Sequence, residues 1–114
     1  VYALSERRLR ARFDVHRPAL AIPTAPAAIA EGARLAVANG CTECHGDALS
    51  GRVVVDEPIV GRIAGSNLTR GGRGAHLTPT DWERAVRHGV RRDGSALAFM
   101  PAHEFRGMPD DELA

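Results

Sequence analysis

Lysine is absent from this 114-residue chain: all fifteen cations are arginine, set against fourteen acids, for a formal charge of +1. So balanced a chain lacks the clustered basic surface of a nucleic-acid binder, and no nucleic-acid partner is expected. Aromatics are nearly as scarce, five in all, and nineteen of the residues behind the 44% hydrophobic content are alanine. One domain of this length stabilises itself modestly by burial, and a core so rich in alanine is thin. No run of eighteen apolar residues occurs, so the segment does not itself span a bilayer. Cysteine is confined to Cys41 and Cys44. A structural zinc site needs four nitrogen or sulfur ligands, and neither a second cysteine pair nor a spaced pair among His76, His88 and His103 supplies them.

What is present is concentrated in Cys41-Thr42-Glu43-Cys44-His45, a C-x-x-C-H run of the kind that attaches haem covalently. On one helical turn Cys41, Cys44 and His45 share a face. Two thiols there can add to the two vinyl groups of a haem, leaving His45 beneath the iron as proximal ligand. A thioredoxin-like dithiol would need a βαβ setting, which the flanking pattern lacks. A disulfide between Cys41 and Cys44 would close too small a loop to stabilise much. A bound haem would also supply the apolar volume that the side chains do not.

Residues 1–26 read as an extended arm or tether preceding a domain at 27–114. Arg7, Arg8, Arg10, Arg12 and Arg17 face only Glu6 and Asp14, and prolines at 18, 23 and 26 punctuate an alanine-rich stretch. From Ala27 the pattern turns helical, with Ile29, Ala33, Ala36 and Val37 at spacings of three and four and Asn39-Gly40 as a stop. Gly32 inside it suits close passage of another helix or ring. Residues 46–65 are expected to be loop with at most one brief strand at Val53–Val55, and Asn67 and Thr69 are either donors to haem propionates or ordinary turn residues.

The next helix is expected to start from Thr80 as N-cap, with Glu83 completing a capping box and Gly89 marking the end. Trp82, Ala85, Val86 and Val90 would form its apolar face, with Trp82 in the core or against the haem edge. Beyond it, Met100-Pro101 offers a sixth iron ligand: a thioether suits low-spin haem iron, and proline steadies the backbone. Met108 and His103 are the rivals, Met108 reading better as a staple before a last helix.

Residues 28–114 resemble a class I c-type cytochrome, similar to the monohaem domains that serve bacterial membrane-bound dehydrogenases and respiratory chains. The resemblance is carried by Cys41-Thr42-Glu43-Cys44-His45-Gly46, Asn67-Leu68-Thr69, Thr80-Asp81-Trp82, Arg87-His88-Gly89-Val90, Asp93-Gly94, Phe99-Met100-Pro101 and Phe105 to Leu113. It implies an all-α fold of short helices and loops around one haem c, ligation by His45 and Met100, and electron transfer as the function. The family's last helix, which crosses the first near a glycine such as Gly32, is represented by its first turn only. An apolar patch is therefore expected over residues 29–37.

With both axial positions filled, the iron would only change oxidation state, making the domain a carrier or relay and not itself an enzyme. Were Met100 not bound, the open iron would suit a gas sensor or a peroxidase-like site. Thioether attachment needs reduced thiols and haem on the outer side of the inner membrane, so the expected location is periplasmic, with a possible membrane tether upstream of Val1. The expected partners are redox proteins or a larger membrane-bound oxidoreductase complex.

Overall fold

Pro26 occupies the first turn of helix α2 (Pro26–Ala38), where its missing N–H costs nothing, and alanine-rich sequence carries the helix on to Asn39. There the Asn39 side chain donates to the Leu35 carbonyl at 2.9 Å, and Gly40 turns left-handed at φ +73°. The computed structural model describes residues 2–114, which divide into two units, residues 23–77 and residues 2–22 with 78–114.

In the 23–77 unit, α2 runs through Gly40 into the short helix α3 (Cys41–His45), which packs on a hairpin of β1 (Arg52–Glu57) and β2 (Gly61–Gly65). The strands are antiparallel, pairing Arg52 with Gly65 and Glu57 with Gly61, and a bulge lies between Val53 and Val55. A turn of 3-10 helix follows at Arg73–His76. The all-α expectation is thereby corrected. The chain is 42% helix and 13% strand, a mixed architecture with a two-stranded sheet where loop with one strand was expected. Val53–Val55 does form a strand; its partner escaped notice because β2 is Gly-Arg-Ile-Ala-Gly, poor in the β-branched residues that announce strands.

No residue between 23 and 77 is buried; Leu35, Leu49, Val55, Ile63, Leu68 and Leu77 are only half-covered. Along α2, Ile29 and Val37 are each 62% exposed, and a Cβ on Gly32 would meet nothing within 4 Å. The apolar patch expected over residues 29–37 is therefore present in the structure.

The other unit begins with helix α1 (Tyr2–Leu9) and centres on α4 (Pro79–His88), followed by α5 (Ala102–Phe105) and α6 (Asp110–Leu113). The N-cap of α4 is Thr78, not Thr80. Its side chain accepts from the Asp81 N–H while Asp81 accepts from the Thr78 N–H, and Pro79 takes the first helical position. Thr78 prevails because the proline after it favours N1 and biases the residue before it toward extended backbone. Gly89 ends the helix as expected, at φ +62°. Its close contact with Ala102, whose Cβ would lie 3.1 Å from a Cβ on Gly89, brings α5 onto α4.

The buried face of α4 carries charge as well as apolar Val90. Trp82, Ala85 and Val86 are half-covered, whereas Asp81, Glu83 and Arg87 are buried together with Val90. Glu83, 1% exposed, accepts from Arg87 Nη1 at 3.2 Å and from Arg17 Nε at 3.0 Å. Arg87 in turn donates to Asp110 at 2.6 Å and to the Met108 carbonyl at 2.5 Å. These pairs offset part of the cost of taking the charges out of water, while Glu83 Oε2 and Arg87 Nε stay buried without a hydrogen bond.

Candidate haem attachment site

Helix α3 is a single turn set between two left-handed glycines, Gly40 at φ +73° and Gly46 at φ +82°. This places Cys41 and Cys44 one turn apart with His45 next in sequence. Both cysteines are free thiols, Cys41 half-covered and Cys44 exposed. Burial pushes the Cys41 thiol up from its ordinary value, with Cys44 nearby adding to the effect. Among the described residues no three His, Cys, Asp or Glu side chains are grouped to hold a metal ion.

The imidazole of His45 is fixed from behind. Its Nδ1 lies 2.9 Å from the Ser66 carbonyl, which can only accept, so Nδ1 carries a hydrogen, and in the neutral ring the lone pair is on Nε2. That is the tautomer an axial ligand requires, oriented by a backbone partner in the usual manner of metal-bound histidine.

Loop and hairpin backbone press directly on the C-x-x-C-H turn. Gly51 donates its N–H to the His45 carbonyl at 2.8 Å. A Cβ on Gly65 would sit only 1.8 Å from the Cys44 carbonyl oxygen, so glycine alone permits this approach. Asn67 continues the clamp as an Asx turn: its Oδ1 accepts from Thr69 N–H at 2.9 Å and from the Thr69 hydroxyl at 2.7 Å, and its own carbonyl accepts from Arg73. Of the two roles expected for Asn67 and Thr69, turn formation is the one the geometry displays.

Cys41, Cys44, His45 and Asn67 thus share one unit, while Trp82 and Met100 belong to the other. Met100 is half-covered and follows the exposed Phe99; the Met100 carbonyl accepts from Ala102 N–H at 2.8 Å, and Pro101 stands between them. His103 has a side chain 76% exposed and lies beside Glu104 at 3.9 Å. Two contributors were missed in the sequence. The Ser66 carbonyl carries no side-chain signal at all, and Gly65 was one glycine among twelve. The Glu83–Arg87 pair, by contrast, has the helical spacing of four that such pairs use.

The residues present fit a covalently held haem. Two thiols and an imidazole with a free Nε2 stand on one turn, and the surrounding apolar side chains are partly covered and none is buried, as suits the wall of a large flat apolar group.

Comparison with known proteins agrees. The chain is 34% identical over 95 residues, 76% of its length, to the cytochrome c subunit of a quinone-dependent alcohol dehydrogenase from Gluconacetobacter polyoxogenes and to that from Komagataeibacter europaeus. It is 31% identical over 109 residues, 88% of its length, to the cytochrome subunit of fructose dehydrogenase from Gluconobacter japonicus. The chain spans about a fifth of the length of these curated relatives, 20% in each case. No protein-family profile matches the chain, and no solved structure does. The relatives support a cytochrome c domain here.

Proposed function

We propose that this chain is a monohaem, class I type cytochrome c domain, with Cys41 and Cys44 bonded to one haem c and His45 and Met100 as its axial ligands. When bound, the haem supplies a one-electron ferric/ferrous couple. The chain's own residues hold and tune it. Cys41 and Cys44 provide the two thiols, the Ser66 carbonyl aims His45 Nε2, and Met100, steadied by Pro101, provides the soft sulfur that keeps the potential relatively high. With both axial positions occupied by side chains no substrate can reach the metal, so the domain relays electrons within a larger assembly and does not catalyse on its own. Residues 27–114 are the haem domain, and residues 1–26 precede it as an arm.

The relatives' names support a dehydrogenase complex as that assembly, and thioether attachment of haem suits a place outside the cytoplasm, on the outer face of the inner membrane. None of the helices among the described residues is long and apolar enough to cross a membrane.

The observation that carries the proposal is the Nδ1 hydrogen bond of His45 to Ser66, 2.9 Å, beside two free thiols on the same turn. Its test is the mass and optical spectrum of protein made in a host that attaches haem. A mass one haem above the polypeptide, and a sulfur-to-iron absorption band in the ferric state that Met100→Ala abolishes, are expected. A colourless, iron-free product would refute the proposal. Prompt carbon monoxide binding to the reduced protein would refute Met100 ligation and favour the open-site sensor or peroxidase-like reading.

A further inference from the structure

The stretch Arg12–Arg17 makes contacts that a solvated tether would lack. Arg12 forms an isolated antiparallel bridge with Ser95, and Phe13 donates its N–H to the Gly94 carbonyl at 2.8 Å. The approach is close: a Cβ on Gly94, which sits at φ +82°, would lie 3.2 Å from the Phe13 carbonyl oxygen. Four residues further, Arg17 donates from Nε to the buried Glu83 of α4 at 3.0 Å.

The turn this stretch grips leads to Met100. Asp93 Oδ1 accepts from Ser95 N–H at 2.9 Å and from its hydroxyl at 2.6 Å, and Arg91 N–H donates to the Ser95 carbonyl at 2.8 Å. Val90 then bridges Ala96, and Leu97 N–H donates to the Gly89 carbonyl at 2.6 Å. On the far side of Met100, buried Ala102 packs on Gly89. Met100 thus sits in a short span whose two ends are both anchored at the C-terminus of α4, and the turn before it is clasped from outside by Phe13.

We propose that Arg12–Arg17 is a positioning element for Met100, with Phe13 and Arg17 holding the 91–96 turn and α4 in the arrangement that presents the methionine sulfur. The inference rests on the assignment of Met100 as axial ligand and deepens it. Loosening the strap frees one anchor of the methionine span, so an added ligand displaces the sulfur more easily, while the haem links at Cys41 and Cys44 are untouched.

The experiment titrates ferric, haem-loaded protein of the full 114-residue chain with imidazole, reading loss of the sulfur-to-iron band. Phe13→Pro, which removes the donated N–H, and Arg17→Met are each expected to raise imidazole affinity about tenfold, the equivalent of one lost hydrogen bond. Arg17→Lys should restore part of the parental resistance, and Arg10→Ala, which removes an exposed pair with Glu6, should change nothing. Helical circular dichroism of each variant separates a loosened strap from an unfolded chain, and Arg17, half exposed, is the substitution the fold tolerates more readily. Imidazole affinities of Phe13→Pro and Arg17→Met that match the parent, with the band intact and lost only in Met100→Ala, would overturn the strap alone. A parent whose band is absent, or is unaffected by Met100→Ala, would overturn the ligand assignment and the strap together.

Discussion

Arg87 and Glu83 form an ion pair at 3.2 Å with almost no access to water, their side chains 5% and 1% exposed. Helix α4 therefore turns a charged stripe inward, and Arg17, Met108 and Asp110 converge on that stripe from both ends of the chain. Removing one partner from such a group strands the other, which is the costly event, more than the pair itself is a gain. Glu83→Ala is expected to destabilise the protein by about 3 kcal/mol or more, read from denaturant midpoints. A loss below about 1 kcal/mol, the range of an exposed pair, would show that the network is solvated.

Acid should act through Asp81. The Arg92 guanidinium donates to its carboxylate, from Nε at 2.9 Å and also from Nη2, and holds it well below the usual carboxylate range, with Thr78 contributing. A depressed folded value means the stabilisation is complete above the unfolded carboxylate's pKa, about 3.9, and drains away as pH falls below that toward the folded value. Asp81→Asn is expected to cost about 1 kcal/mol at pH 7, the scale of a lost helix cap. Its deficit relative to the parent should shrink between about pH 4 and pH 2. Melting temperatures across that window test this; a deficit that stays constant would contradict it.

Two glycines predict opposite outcomes. Gly65→Ala forces a methyl group against the Cys44 carbonyl, 1.8 Å from it, and should cost about 3 kcal/mol or more, seen as a collapse in the yield of haem-loaded protein. Gly32→Ala meets nothing within 4 Å and should stabilise the 114-residue chain by roughly 0.5–1 kcal/mol. If Gly32→Ala instead destabilises a larger assembly that contains this chain, a neighbouring element lies across α2 there.

Each thiol should suffice to retain colour. Cys41→Ala and Cys44→Ala are each expected to keep one covalent link, so mass spectrometry under denaturing conditions finds haem on both single variants and on neither site of the double one. Haem lost from a single variant on denaturation would mean that the remaining thiol is not bonded.

How much of this was readable in the sequence depended on whether the deciding interaction was local. Helix α2 and its stop at Asn39-Gly40, the C-x-x-C-H turn and the Gly89 terminus are set by residues within a few positions of one another, and all were recognised. The N-cap of α4 was misplaced by two residues because Thr78-Pro-Thr80 offers two threonines and only proline's preference for the first turn separates them. The buried charges of α4 have no signature in hydrophobic periodicity, which assumes that charges face water; Glu83 finds Arg17 sixty-six residues away, which no local pattern reports. The hairpin was half seen, since Val53–Val55 announces a strand while its glycine-flanked partner does not. Among the site residues, the cysteines and His45 were evident from spacing, whereas the Ser66 carbonyl that sets the imidazole's tautomer belongs to the backbone and has no residue signature.

The 23–77 unit owes its shape to peptide hydrogen bonds and to glycines that let main chain touch main chain. Melting this polypeptide without its haem would wet little fresh hydrocarbon, so the heat-capacity increment from this part of the apoprotein should be small. Its share of the stability curve would then be shallow, changing gently on warming and on chilling alike.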